Sequence, residues 1–210
     1  MTRKPSSRGA KKGAATQDSA RQRIFSTASE LFYREGIRAV GVETIAAEAR
    51  TTKMTLYRNF PSKDSLVAAW LSAHDVSFWQ GWDTMLQRYP DDPRRQLGAA
   101  FELLARHISD PRARGCPMAN AAVEITRRSH PARKVIETHK AKLRGRLAEL
   151  CKLAGASQPE HLADQLFLLM EGAQVSVILG VRSPANNAGR AADALIRAQL
   201  GLAPQPAPRR

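Results

Sequence analysis

Residues 51–66 read TTKMTLYRNFPSKDSL. Their punctuation is that of a short helix, a break and the first turn of another helix. Thr52 is an N-cap type, since its hydroxyl can accept from an otherwise unpaired backbone N–H. Lys53 to Asn59 contains neither Gly nor Pro and can run for two turns. Pro61 stops that helix and Ser62 can cap the next. Asp64 falls in the new first turn, where a carboxylate complements the helix dipole. At ~100° per residue, Leu56 and Phe60 share an inward face. The outward face carries Met54 and Arg58, flanked by Thr55 and Tyr57. A helix of this size, with a narrow apolar seam and basic, polar and aromatic residues outside, fits a DNA major groove. An amphipathic surface helix is the alternative from this stretch alone.

The residues upstream decide between them. Glu43 to Ala49 (ETIAAEA) is a second short helix, with Val42, Ile45, Ala46 and Ala49 at i, i+3, i+4 and i+7. Only Arg50, Thr51 and Thr52 separate it from the helix just described. Two short helices across so brief a turn are the helix-turn-helix signature. Ser19 to Glu35 predicts a longer helix with Ile24, Phe25, Ala28, Leu31 and Phe32 on one stripe. Asp18 or Thr16 can start it, and Gly36 supplies a left-handed stop. The three helices would enclose Phe25, Phe32, Ile45, Leu56 and Phe60.

With LFYREG closing the first helix, then IAAEA, then KMTLYRNFPSKDSL, residues 18–66 resemble the N-terminal domain of TetR-type transcriptional regulators. The resemblance implies a domain that binds palindromic operators on double-stranded DNA as a homodimer. It also implies a variable helical C-terminal domain whose small-molecule effector releases the DNA. It places Thr55, Tyr57, Asn59 and Lys63 at phosphate-contacting positions, with Thr52 beside them. From groove chemistry, Lys53 and Arg58 can reach guanine O6 or N7, and Met54 can pack on a thymine methyl. Two positions depart from the family. Arg50 stands in the turn where Gly is usual, and could itself meet a phosphate. Gly41 stands where Ser or Thr usually caps the second helix.

Composition agrees with a polyanionic partner. The 210 residues carry a formal charge of +14, and a strongly basic balance favours nucleic acid. Residues 1–63 hold 13 Lys and Arg against 5 Asp and Glu, so charge density is highest around the motif. The two cysteines, Cys116 and Cys151, form neither a disulfide framework nor a metal-ligand cluster. Met1 to Ala20 has no apolar core of a signal peptide, and Leu162 to Val181 is interrupted by Asp164, Gln165, Glu171 and Gln174. A cytoplasmic protein without membrane contact is therefore expected.

The remaining chain predicts an all-α fold of about nine helices. Residues 1–17 read as a basic disordered arm, 18–63 as the DNA-binding domain, 64–203 as a helical ligand-binding and dimerisation domain, and 204–210 as a flexible tail. Ser62 to about Tyr89 is a long linking helix of roughly 40 Å at ~1.5 Å per residue. Lys63 opens it, where the dipole disfavours a cation and a phosphate would supply a partner. Five more helices follow, each with Pro in the first turn. They are expected over Pro93–Ser109, Pro117–Arg128, Pro131–Ala154, Pro159–Leu179 and Pro184–Leu200.

The resemblance puts the ligand cavity on the helices that carry His74, Phe78, Trp82, Phe101, Met118, Asn120 and Glu124. It puts the dimer interface on the last two helices, with Leu162, Leu166, Leu169, Ala173, Val177, Ala191 and Leu195 as its apolar face. Burial within their own domain is the alternative for both sets. RGCPMANAAVEI (Arg114 to Ile125) resembles a mid-domain helix of one TetR subgroup. Cys116 beside Arg114 is either a redox-sensitive thiol or a packed structural one. No cofactor or metal is expected, since there is no ligand cluster, Gly-rich phosphate loop or nucleophile elbow. Two other classes stay in view. One is a sequence-blind DNA-coating protein. The other is a thiol enzyme assembled from Cys116 with His107, His130 or His139.

Overall fold

The computed structural model of the chain describes residues 8–203. Among them there are nine α-helices and no strand. They are α1 (Arg8–Glu35), α2 (Val42–Glu48), α3 (Lys53–Asn59), α4 (Lys63–Leu86), α5 (Pro93–Ser109), α6 (Pro117–Glu124), α7 (Pro131–Leu153), α8 (Pro159–Ile178) and α9 (Arg182–Gln199).

Local chemistry explains most of the boundaries. Thr52 caps α3 by accepting from Thr55 N–H at 3.1 Å. Ser62 and Ser65 form a reciprocal capping box at the start of α4. Pro occupies the first turn of α5, α6, α7 and α8, where its missing N–H costs nothing. Gly36 ends α1 at φ +94°, a conformation that a side chain would strain.

Several boundaries differ from expectation, α4 among them, which ends at Leu86 and not near Tyr89. Helix α1 begins at Arg8, inside the segment read as a disordered arm, because Ala10, Ala14 and Ala15 are strong helix formers. Residues 1–7 of that arm and the tail 204–210 lie outside the described residues. Helix α6 stops at Glu124 instead of running to Arg128, since Ile125 leaves helical geometry and turns into the core at 5% exposure. Helix α9 starts at Arg182, two residues before Pro184.

Packing divides into two apolar cores joined by α4. The first contains Ile24, Phe32, Ile45, Leu56, Phe60, Leu66 and Trp70. It also takes in Met118 of α6, Ile125 just beyond it and Ile136 of α7, so these elements are built into the base of the helix-turn-helix unit. The second core lies among α4, α5, α7, α8 and α9 around Trp82, Leu97, Leu147, Leu162 and Leu166. No helix of the described residues is long and apolar enough to cross a membrane.

Candidate nucleic-acid interface and internal cavity

On α3 the inward and outward faces separate as the spacing predicts. Leu56 and Phe60 are buried at 0% and 3% exposure, and Phe60 stacks on Phe25. Lys53, Met54, Tyr57 and Arg58 are exposed, with Met54 at 65%. Thr55 and Asn59 are half-buried. The Asn59 amide donates to the Thr55 carbonyl at 2.8 Å, and Thr55 Oγ1 lies 3.0 Å from Thr52 Oγ1. Lys53 is not free, because its ammonium donates to Glu43 of α2 at 2.5 Å. That bond holds its pKa above the ordinary lysine value. Lys63, half-buried at the start of α4, is pushed the other way by burial.

The turn between α2 and α3 contains the one non-glycine residue with positive φ among the described residues, Arg50 at +51°. The backbone needs the conformation that glycine usually provides, and here an exposed arginine adopts it. Two arginines of α1 fasten the unit from beneath. Arg21 donates to the Asn59 carbonyl at 2.6 Å and lies over the Phe60 ring at 4.3 Å. Arg23 donates to the Ala49 carbonyl at 3.3 Å. Cations at helix C-termini are well placed electrostatically. Part of the basic charge near the motif therefore serves the fold.

Several bonds tie this unit to the helices behind it. The Glu124 carboxylate accepts from Ile37 N–H at 3.1 Å and Arg38 N–H at 2.7 Å. A Cβ on Gly36 would come within 3.1 Å of that carboxylate, a tight contact that adds to the demand of its φ. Asp64 pairs with Arg127, and with His130 Nε2 at 3.2 Å. His130 Nδ1 accepts from Ala132 N–H, so Nε2 carries the proton toward Asp64.

A cavity of about 230 Å³ lies between α4, α5, α6, α7 and α8. His74, Phe78 and Trp82 line it from α4 and Leu103, Leu104 and His107 from α5. Cys116 and Pro117 line it as well; His139, Lys140, Met170 and Gln174 complete the wall. Lys140 pairs with Glu171, and its ammonium lies 3.3 Å from Cys116 Sγ. His139 Nδ1 lies 2.7 Å from Asp75. Burial, reinforced by the neighbouring His139, pushes His74 down to about 4. Burial lowers His139 as well.

Of the residues expected at a ligand cavity, His74, Phe78 and Trp82 are in its wall and the other four are elsewhere. Phe101 faces a groove between α5 and α9. Met118 is fully buried in the first core. Asn120 donates to the Arg114 carbonyl at 2.7 Å, and Glu124 is committed to the loop after α1. The one-residue steps around a helix decide this, and α6 turns Met118 into the first core and Glu124 to the loop after α1. His107, Lys140 and Gln174 were missed as lining residues because a polar residue on an amphipathic helix carries no local sign that it faces a cavity.

The expected dimer face also needs correction. Leu162, Leu166, Ala173 and Val177 are between 0% and 6% exposed and fill their own core. The uncovered face of α8 carries Leu168, Gly172 and Val175, with Leu169 half-buried beside them. With Ala191 and Leu195 of α9 it borders a shallow apolar groove, which Ala173 reaches from the core side. Helix α8 is apolar on both sides, so periodicity alone could not choose the outward one.

The sequence and fold match known proteins. The sequence model described as bacterial regulatory proteins, tetR family, matches residues 24–70. The model described as tetracyclin repressor-like, C-terminal domain, matches residues 93–192. The crystal structure of a TetR-family transcriptional regulator from Streptomyces coelicolor superimposes with a TM-score of 0.82 at 28% identity, covering 88% of this chain and 97% of that one. The HTH-type transcriptional activator FasR of Mycolicibacterium smegmatis is 36% identical over 86 residues. The match is 41% of this chain and 39% of that protein, so the chain spans about two fifths of its length. The DNA-binding transcriptional repressor TetR of Mycobacteroides abscessus is 27% identical over 157 residues, 59% of this chain and 83% of that protein.

Proposed function

Because the chain belongs to the TetR family of transcriptional regulators, we propose that it is a homodimeric repressor that binds a palindromic operator. A small molecule filling the cavity releases it. The observation that carries this reading is the face of α3. Lys53, Met54, Tyr57 and Arg58 stand uncovered on one side while Leu56 and Phe60 anchor the other. A rigid helix with bidentate donors and one apolar side chain at its surface is built for base edges.

In this reading Arg58, and Lys53 once it leaves Glu43, contact guanine, and Met54 meets a thymine methyl. Thr52, Thr55, Tyr57, Asn59 and Lys63 contact phosphate, and Arg50 joins them from the turn. Two-fold symmetry is supplied by the apolar groove of α8 and α9, with Leu168, Gly172 and Ala191 exposed and Leu169 and Leu195 half-buried along it. Leu168→Arg then gives a monomer in sedimentation, whereas Leu162→Ala weakens the fold.

The test is a footprint on the DNA flanking the protein's own gene, near physiological salt, with Tyr57→Ala as the control. A protected palindrome lost in the variant supports the reading. Uniform protection of any duplex, with steep salt dependence alone, supports sequence-blind coating instead.

A further inference from the structure

We propose that the cavity takes an uncharged, largely apolar molecule of one or two rings bearing a hydroxyl or carbonyl group, and discriminates against an acid or amine of the same body. The inference rests on the reading of this cavity as the effector site. It follows from which polar groups of the wall already have partners.

Among the lining residues there is one full charge, Lys140, and no Asp, Glu or Arg. Lys140 is already paired with Glu171, and that pair is largely shielded from solvent, at 18% and 22% side-chain exposure. An entering carboxylate must therefore compete with a formed, desolvated ion pair. An entering ammonium meets Lys140 and no lining carboxylate. Either ion gives up its water without receiving a free counter-charge, which is costly in an apolar site.

The histidines divide in the same way. His139 is held by Asp75, and His107 Nε2 lies 3.3 Å from the Gly115 carbonyl. His74 has no hydrogen-bond partner among the described residues, and neither has the Gln174 side-chain amide. The indole N–H of Trp82, on the same wall, is buried without an acceptor. Burial keeps His74 uncharged at neutral pH. What the wall leaves unsatisfied is thus a set of neutral donors and acceptors within a surface of Phe, Trp, Leu and Met side chains. A few neutral polar groups in an apolar wall orient a neutral ligand. The volume, about 230 Å³, is below the roughly 300–1,000 Å³ of drug-sized sites, which limits the body to one or two rings.

The experiment is isothermal titration of the full-length protein at pH 7.5, without DNA, using 2-naphthol, 2-naphthoate and 2-naphthylmethylammonium. These three share one two-ring body and differ in charge. The expected result is that the naphthol binds at least tenfold more tightly than either ion. His74→Phe and Gln174→Leu each weaken naphthol several-fold, with thermal midpoints that report whether the fold is kept. Glu171→Gln leaves Lys140 without its carboxylate and raises naphthoate affinity about tenfold or more. An ion that binds wild type as tightly as the alcohol overturns the proposal, and so does the absence of binding by all three. Naphthol that binds but leaves DNA affinity unchanged contradicts the release reading and leaves the ligand class standing.

Discussion

The Tyr33 hydroxyl donates to the Gly115 carbonyl at 3.3 Å, and it accepts from the Arg114 N–H at 2.8 Å. Tyr33 belongs to α1, beneath the helix-turn-helix unit, and Gly115 immediately precedes Cys116 and Pro117 of the cavity wall. The same carbonyl is met by His107 Nε2, a cavity residue, at 3.3 Å. A carbonyl oxygen only accepts, so that ring nitrogen carries the proton. Gly115 has φ +70°, and a Cβ there would lie 2.7 Å from the Gln174 carbonyl of α8. One residue, Gly115, thus meets α1 and the cavity wall through its carbonyl and α8 through its Cα.

Tyr33→Phe keeps the ring and removes both bonds. Exposed Arg114 can turn to water, so the stability cost is about 1 kcal/mol. The larger effect is on response. On the proposed reading of the cavity as an effector site, the loss of DNA affinity on filling it shrinks, while affinity with the cavity empty changes little. Fluorescence anisotropy on an operator duplex, with and without the effector, measures both. An unchanged ratio of the two affinities would show that the cavity is read through another route.

Arg50→Gly relaxes the strained turn. A left-handed conformation costs an L-residue roughly 1–2 kcal/mol, partly offset by glycine's greater freedom in the unfolded chain. Stability in urea therefore rises by about 0.5–1 kcal/mol. If Arg50 meets a phosphate, the slope of log affinity against log salt falls by about 1 in the same variant. Greater stability with an unchanged slope would leave Arg50 as a fold residue only.

Acid should weaken the fold through His74. Its ring ordinarily titrates near 6.5 and is pushed to about 4 in the fold. Between these values the unfolded chain takes up a proton that the folded chain refuses. The contribution is present above about pH 6.5 and is lost as pH falls toward 4. At full burial it amounts to at most about 3 kcal/mol, and less to the extent that water reaches this half-buried ring. Urea unfolding of wild type and His74→Gln at fixed protein concentration isolates it, because other acid effects cancel in the difference. As pH falls from about 6.5 toward 4, wild type should lose stability relative to the variant. Parallel curves would remove His74 as the source.

The parts legible in the sequence are those governed by neighbours in the chain. Thr52 and Ser62 cap as their side chains dictate, α5 to α8 start at their prolines, and Gly36 stops α1. The seam of Leu56 and Phe60 is likewise a local matter of helical phase. What was not legible depends on partners far along the chain. Glu124 reads as an ordinary surface acid until α6 brings it to the N–H groups of Ile37 and Arg38. Gln174 and Leu168 sit six residues apart on a helix that is apolar on two sides. Nothing between them in the sequence says that one faces the cavity wall and the other is left uncovered. Arg50 lies between these cases. Its departure from glycine was visible, and the positive φ shows that the turn kept its shape regardless.

The most direct measurement is selection of bound sequences from random duplexes, followed by the affinities of wild type and Arg58→Ala for the selected and a scrambled duplex. Recognition through the uncovered face of α3 predicts an enriched palindrome. It also predicts a loss of roughly 1–3 kcal/mol in the variant on the selected duplex, with little change on the scrambled one. No enrichment, or equal weakening on both duplexes, would contradict sequence-specific reading by this helix.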